Sequence, residues 1–176
     1  MANPTMTLIS SQTLGGTTAS VTFSSIPSTY NDLKLVVSAR GDAAAYPVAI
    51  NLKLNSDTAT NYSYTNLLGT YSTAVSSTRA SSQTVDAIPN VDGASATAST
   101  FGSWEIYIPN YNSTGSKPFF GIDVIETNDI TAAHAEIQAN AHLYRGASGI
   151  SSITLTPNSG NFVQFSDFYL YGINNS

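Results

Sequence analysis

Cysteine is absent from the 176 residues and formal charge is scarce, with 6 Lys and Arg against 11 Asp and Glu, a tenth of the chain in all. Without cysteine, disulfides and thiolate metal sites are excluded, so the fold does not depend on the redox state of its compartment. An ordinary globular protein carries roughly a quarter of charged residues. Here 25 Ser and 21 Thr supply the polar surface instead. The net charge is −5 and there is no basic run, so the cationic footprint that phosphate backbones require is missing and no nucleic-acid partner is expected. No stretch approaches the ~18 apolar residues of a membrane span, and "MANPTMTLIS" lacks the positive region and long apolar run of a secretion signal. No membrane partner is expected, and synthesis is expected in a cytoplasm.

What the chain does have is period-two alternation. In "VAINLKLN", Val48, Ile50, Leu52 and Leu54 point one way and Ala49, Asn51, Lys53 and Asn55 the other, the pattern of a half-buried strand. "AHAEIQANAHLY" repeats it, with Ala135, Ile137, Ala139, Ala141 and Leu143 on one face and His134, Glu136, Gln138, Asn140 and His142 on the opposite one. Further strands are read at Ser20 to Ser24, Leu33 to Ala39, Trp104 to Ile108, Phe119 to Ile125, Ile153 to Thr156 and Phe165 to Tyr171, each bounded by Gly, Pro, Asn or Asp. No window carries a helical period. The expected fold is all-β: one antiparallel β-sandwich domain over residues 1–176, jelly-roll-like, with about eight strands. A short N-terminal arm is expected over about residues 1–13. The irregular Ser-, Thr- and Asn-rich stretch at about 55–100 reads as a long polar loop, either a plain connection or an interaction loop.

Groups capable of chemistry are few. His134 and His142 stand about 27 Å apart at roughly 3.3 Å per residue, so one metal cannot bind both, and His134 with Glu136 supplies two ligands where zinc wants three or four. Asp123, Glu126 and Asp129 in "GIDVIETNDI" could collect a cation through oxygen ligands, though acidic residues around a turn are more often simply solvated. No positioned motif singles out a nucleophilic serine. Neither a cofactor nor catalysis is expected. Arg40, Gly41 and Asp42 spell the tripeptide that integrins read, here following a strand as a turn.

The chain's last 27 residues combine a strand at Ile150 to Leu155, a Gly-Asn-Phe turn at Gly160 to Phe162, and an ending built on Phe168, Leu170, Tyr171, Gly172 and Ile173. This pattern resembles the C-terminal signature of tail-associated and capsid-decorating structural proteins of tailed phages. Three more segments agree in order: "QTLGGTTASVTFSSIPSTYNDLKLVVSAR", "LNSDTATNYSYTNLLG" and "IYIPNYNSTGSKPFFG". Phe165, Ser166 and Asp167 depart from that pattern, which has a small Gly-Ser pair at this turn. The resemblance implies a non-enzymatic virion protein: a decoration (cement) protein on the outer surface of the head, partnered by the major capsid protein and by itself as a homotrimer. The alternative it leaves open is a carbohydrate- or receptor-binding domain of a tail fibre or adhesin, with Trp104 or exposed tyrosines as stacking platforms. A start at Met1 favours the stand-alone cement as an expectation. The residues expected at an interface are Met6, Leu8 and Ile9 in the arm, Trp104, the polar face of His134, Glu136 and His142, and Tyr169 and Tyr171, since tyrosine joins large apolar area to a hydroxyl.

Overall fold

The computed structural model describes residues 5–70, 75–87, 89–128 and 135–174. Twelve strands and no helix run through them: β1 (Met6–Thr13), β2 (Val21–Phe23), β3 (Asp32–Ala39), β4 (Val48–Leu54), β5 (Tyr62–Thr70), β6 (Ser76–Gln83), β7 (Asn90–Val91), β8 (Gly102–Ile108), β9 (Lys117–Glu126), β10 (Ala135–Tyr144), β11 (Ile153–Pro157) and β12 (Asp167–Ile173). They form two antiparallel sheets packed as a sandwich. The larger has eight strands in the order β1-β12-β3-β8-β9-β10-β5-β6, the smaller four in the order β2-β11-β4-β7.

Alternation builds the core. Val48, Ile50, Leu52 and Leu54 of β4 and Ile153 and Leu155 of β11 turn inward from the small sheet, and Leu33, Leu35, Val37, Ile106, Phe168 and Leu170 meet them from the large one, all essentially solvent-free. Phe162 closes one end, its ring edge-on to Phe168 at 4.9 Å between centroids. A buried side chain of this size contributes roughly 1.5–3 kcal/mol, so this cluster is the main source of stability.

All eight strands expected from alternation are present, and the differences lie elsewhere. The arm is no arm: Met6 to Thr13 is β1, an edge strand registered on β12 from Met6 opposite Ile173 to Thr13 opposite Asp167, with a bulge between Leu8 and Ser10. The long polar loop contains β5, β6 and β7. β5 and β6 form an antiparallel pair at the far edge of the large sheet, where "SSTRASSQ" is almost wholly exposed. A strand wetted on both faces has no apolar alternation to betray it.

The small sheet covers only part of the large one. Beyond β8 the inner face of β9, β10 and β5 is roofed by the segment through Asp86 and Asn90, which hydrogen-bonds back to β4 at Leu52 and Ile50. A roof made of backbone offers N–H and C=O groups to the sheet beneath it, and these must find partners.

Candidate interaction surface

That requirement turns β10 over. Glu136, Gln138, Asn140 and His142 point inward and are buried, while Ala135, Ile137, Ala139, Ala141 and Leu143 point outward. The polar face expected at an interface is therefore interior, and the apolar face is the one presented to solvent. Asp123 anchors the inner layer. Its carboxylate accepts from Asn140 Nδ2 at 2.7 Å and Gln138 Nε2 at 3.1 Å, and from the roof through the backbone N–H of Asn90 at 3.3 Å. Glu136 accepts from Asn90 Nδ2 at 2.6 Å, and Asn66 passes Nδ2 to Gln138 Oε1 at 2.6 Å. Burial pushes the Asp123 carboxyl up to about 6 against the pull of these donors, and burial likewise raises Glu136.

His142 lies with Nδ1 2.6 Å from Asp86 Oδ2, both side chains 1% exposed, and its ring stacks on Phe119 at 4.6 Å. A histidine–carboxylate pair sealed in this way meets no substrate; it ties the roof to the sheet. Asp123 and Glu126, three residues apart on one strand, face opposite sides, Asp123 in and Glu126 out, so they do not converge on one ion. Among the described residues no group of three His, Asp or Glu is arranged to hold a metal. His134 and Asp129 lie outside the described residues.

Outside, the face is a built surface. Antiparallel register lays down three rows across the large sheet. One runs Leu8, Tyr171, Lys34, Tyr107, Phe120, Ala141, Thr65; the next Tyr169, Val36, Glu105, Ile122, Ala139, Leu67; the third Ser38, Ser103, Val124, Ile137, Gly69. Phe120, Ile122 and Val124 of β9, Ile137 of β10 and Leu67 of β5 are 40–56% exposed. Large apolar side chains stand beside the small Ala139 and Ala141, leaving a hollow of about 460 Å³ between Phe120, Ile122 and Leu67. Lone exposed apolar residues are ordinary, but a contiguous patch marks a contact site.

The structure gathers four of the expected interface residues elsewhere on the same face. Leu8 is opposite Tyr171 and Met6 opposite Ile173, Met6 and Leu8 are each about half exposed, and the rings of Tyr169 and Tyr171 stack at 6.5 Å. Ile9, at the bulge, packs against the core instead. Trp104 is 2% exposed and cannot serve as a stacking platform. Alternation could have shown the Phe120 to Val124 ridge, had its polar partner face not looked like the surface.

The integrin-like tripeptide makes hydrogen bonds within the chain, with Asp42 exposed. The Arg40 guanidinium donates to the carbonyls of Ala96, Thr97 and Thr100. Asp42 accepts from the Asn161 backbone N–H at 2.7 Å and its Nδ2 at 3.0 Å, bonds that hold this carboxyl below its ordinary pKa. Gly160 beside it has φ of +68°, and a Cβ there would stand 2.2 Å from Asp42 Oδ1. The Gly-Asn-Phe turn is thus a clamp on the end of β3. No protein family, curated protein or solved structure matches the chain.

Proposed function

We propose that the chain is a non-enzymatic structural protein of a tailed-phage virion: a decoration protein on the outer surface of the head that assembles as a homotrimer and clamps neighbouring major capsid protein subunits. The observation that carries this reading is the outer face of the large sheet, whose exposed side chains over β9, β10 and β5 are apolar apart from Glu126 and Thr65, while Asp123, Glu136, Gln138, Asn140, His142 and Asn66 of the same strands are buried inside. A fold arranged this way is an assembly part, because the exposed face is stable in water only at a cost that a partner removes. The sequence resemblance supplies the particle; the low charge and the absence of cysteine suit a rigid component assembled in a reducing cell. Labelling the protein on intact particles tests the reading. Hundreds of copies over the head support it, and their absence from the head overturns it.

The stacked pair Tyr169 and Tyr171 favours one second reading, a sugar-binding domain at the tail, since paired aromatic faces suit pyranose rings. A few copies confined to the tail would select it.

A further inference from the structure

β6 ends the large sheet on the side of β5, and among the described residues no strand lies beyond it. Five successive residues, Ser76 to Ala80, keep an unbroken antiparallel register with β5, from Leu68 opposite Ser76 to Tyr64 opposite Ala80. Their other edge presents N–H and C=O groups with no strand to receive them, the template on which a further strand adds. Such edges are commonly blunted by proline, lysine or a bulge. β1, at the opposite edge, has its bulge between Leu8 and Ser10; Ser76 to Ala80 has none of the three. Ser76 to Arg79 are all exposed. What holds this strand is therefore its ladder to β5 and the Asn66 side chain, which accepts from the Thr78 backbone N–H at 3.0 Å.

We propose that the β6 edge takes up an extended segment of a different protein as a further strand, with an Asp or Glu of that segment paired to Arg79. The backbone edge selects an extended peptide, because only a strand satisfies its donors and acceptors in series. Arg79 selects the charge. It is exposed on the outer face, opposite Thr65, and has no ion pair or hydrogen bond among the described residues. Cross-strand pairs of opposite charge stabilise a sheet and like pairs destabilise it. Two observations disfavour a second copy as the added strand. Pairing β6 with β6 over all five residues sets Arg79 opposite Ser77 and two positions from the other Arg79 on the same face, a repulsive arrangement. The remaining edge strands, β1, β2 and β7, contain no Asp or Glu, so none offers Arg79 an anion. This contact is separate from the apolar face that carries the virion reading, and it stands or falls without it.

Titration of the full-length, isotope-labelled protein with peptides, followed by amide chemical shifts, tests the contact. The probes are Thr-Val-Thr-Glu-Thr-Val-Thr with blocked ends, its counterpart with Lys in place of Glu, and the Glu peptide N-methylated throughout, which has no N–H to build a ladder. At up to ~5 mM peptide, the Glu peptide should shift amides centred on Ser76 to Ala80 and bind at least ~5-fold more tightly than the Lys peptide, while the methylated peptide should not bind. Arg79→Glu should reverse the preference and Arg79→Gln should abolish it; the position is exposed, so circular dichroism should show both variants folded. Shifts that are absent at these concentrations or centred away from β6 overturn the proposal. So does a methylated peptide that binds equally well, or a preference unchanged in the two Arg79 variants.

Discussion

Asp123 and Glu136 are buried acids beneath a surface that repels charge, and their consequence is a pH dependence of stability. Burial raises both carboxyls, Asp123 to about 6, with Glu136 adding to the rise at Asp123 and Asp92 to that at Glu136, while the donors Asn90, Gln138 and Asn140 pull the other way. A raised folded pKa means the native state holds protons more tightly than the unfolded chain. The stability so contributed is complete below the ordinary carboxylate range and is lost as pH rises through about 6 for Asp123. From about pH 5 to about pH 7.5 the unfolding free energy should fall by about 1–2 kcal/mol, read from urea melts. Asp42 and Asp57, lowered by Asn161 and Asn61, act with the opposite sign but only in more acid solution. A flat or rising profile across that window would show that the inner layer titrates otherwise. Arg40 gives a second residue-scale expectation. Arg40→Ala removes the donors to three loop carbonyls and should cost about 1.5–3 kcal/mol in thermal or urea unfolding. At Phe165 φ is +69°, the left-handed region that glycine enters freely and a bulky side chain occupies only under strain.

At the scale of elements, the ending of the chain explains itself through Gly172. This residue is opposite Leu33 in β12 and β3 and opposite Thr7 in β1, and a Cβ on it would stand 2.3–2.5 Å from ring atoms of Tyr30. The Tyr-Gly-Ile close thus lets Tyr30 lie flat over the last strand. Gly172→Ala should displace that ring and lower stability by about 1–3 kcal/mol, the usual range for overpacking; a thermal midpoint unchanged within error would mean the ring swings aside freely. Central strands were legible because one face of each meets the core: β3, β4, β8, β11 and β12 carry their apolar residues inward as alternation demands. β6 was illegible because both its faces are wet, and β1 because no position of this edge strand is fully buried, its apolar Met6 and Leu8 are on the exposed side, and a bulge between Leu8 and Ser10 breaks the period. β9 and β10 were legible as strands and misleading as surfaces. Alternation states which residues share a face and not which face is inside, and here a roof of backbone reversed the usual answer. Of the nine residues expected at an interface, Met6, Leu8, Tyr169 and Tyr171 lie together on the outer face, Glu136, His142 and Trp104 are buried, Ile9 packs against the core, and His134 lies outside the described residues.

At the scale of the whole molecule, the large sheet carries two apolar zones on one face, separated by the Lys34–Glu105 ion pair, 2.7 Å long on β3 and β8. On the proposed reading as a decoration protein, the zone at the β1 and β12 edge, with Met6, Leu8, Tyr169 and Tyr171, is the candidate contact with the particle. Met6 and Leu8 are each about half exposed, so completing their burial would contribute roughly 1 kcal/mol apiece. That is weak for one copy, but a trimer presents the pair three times and gains by effective concentration. Because β1 is an integral edge strand with β12 beside it, deleting it would strip backbone partners and confuse binding with folding. The double variant Met6→Ser with Leu8→Ser leaves the ladder intact. It should sediment as the same assembly as the unaltered chain, unfold within about 1 kcal/mol of it, and bind purified undecorated heads at least ~10-fold more weakly. Raising sodium chloride from about 0.05 M to about 1 M should change head binding little in either protein, since exposed ion pairs contribute only about 0–1 kcal/mol and apolar contacts are not screened. Undiminished head binding by the double variant would remove this edge from the contact. Binding that collapses in salt would instead place the contact on charged residues such as Lys53, on the outer side of the small sheet.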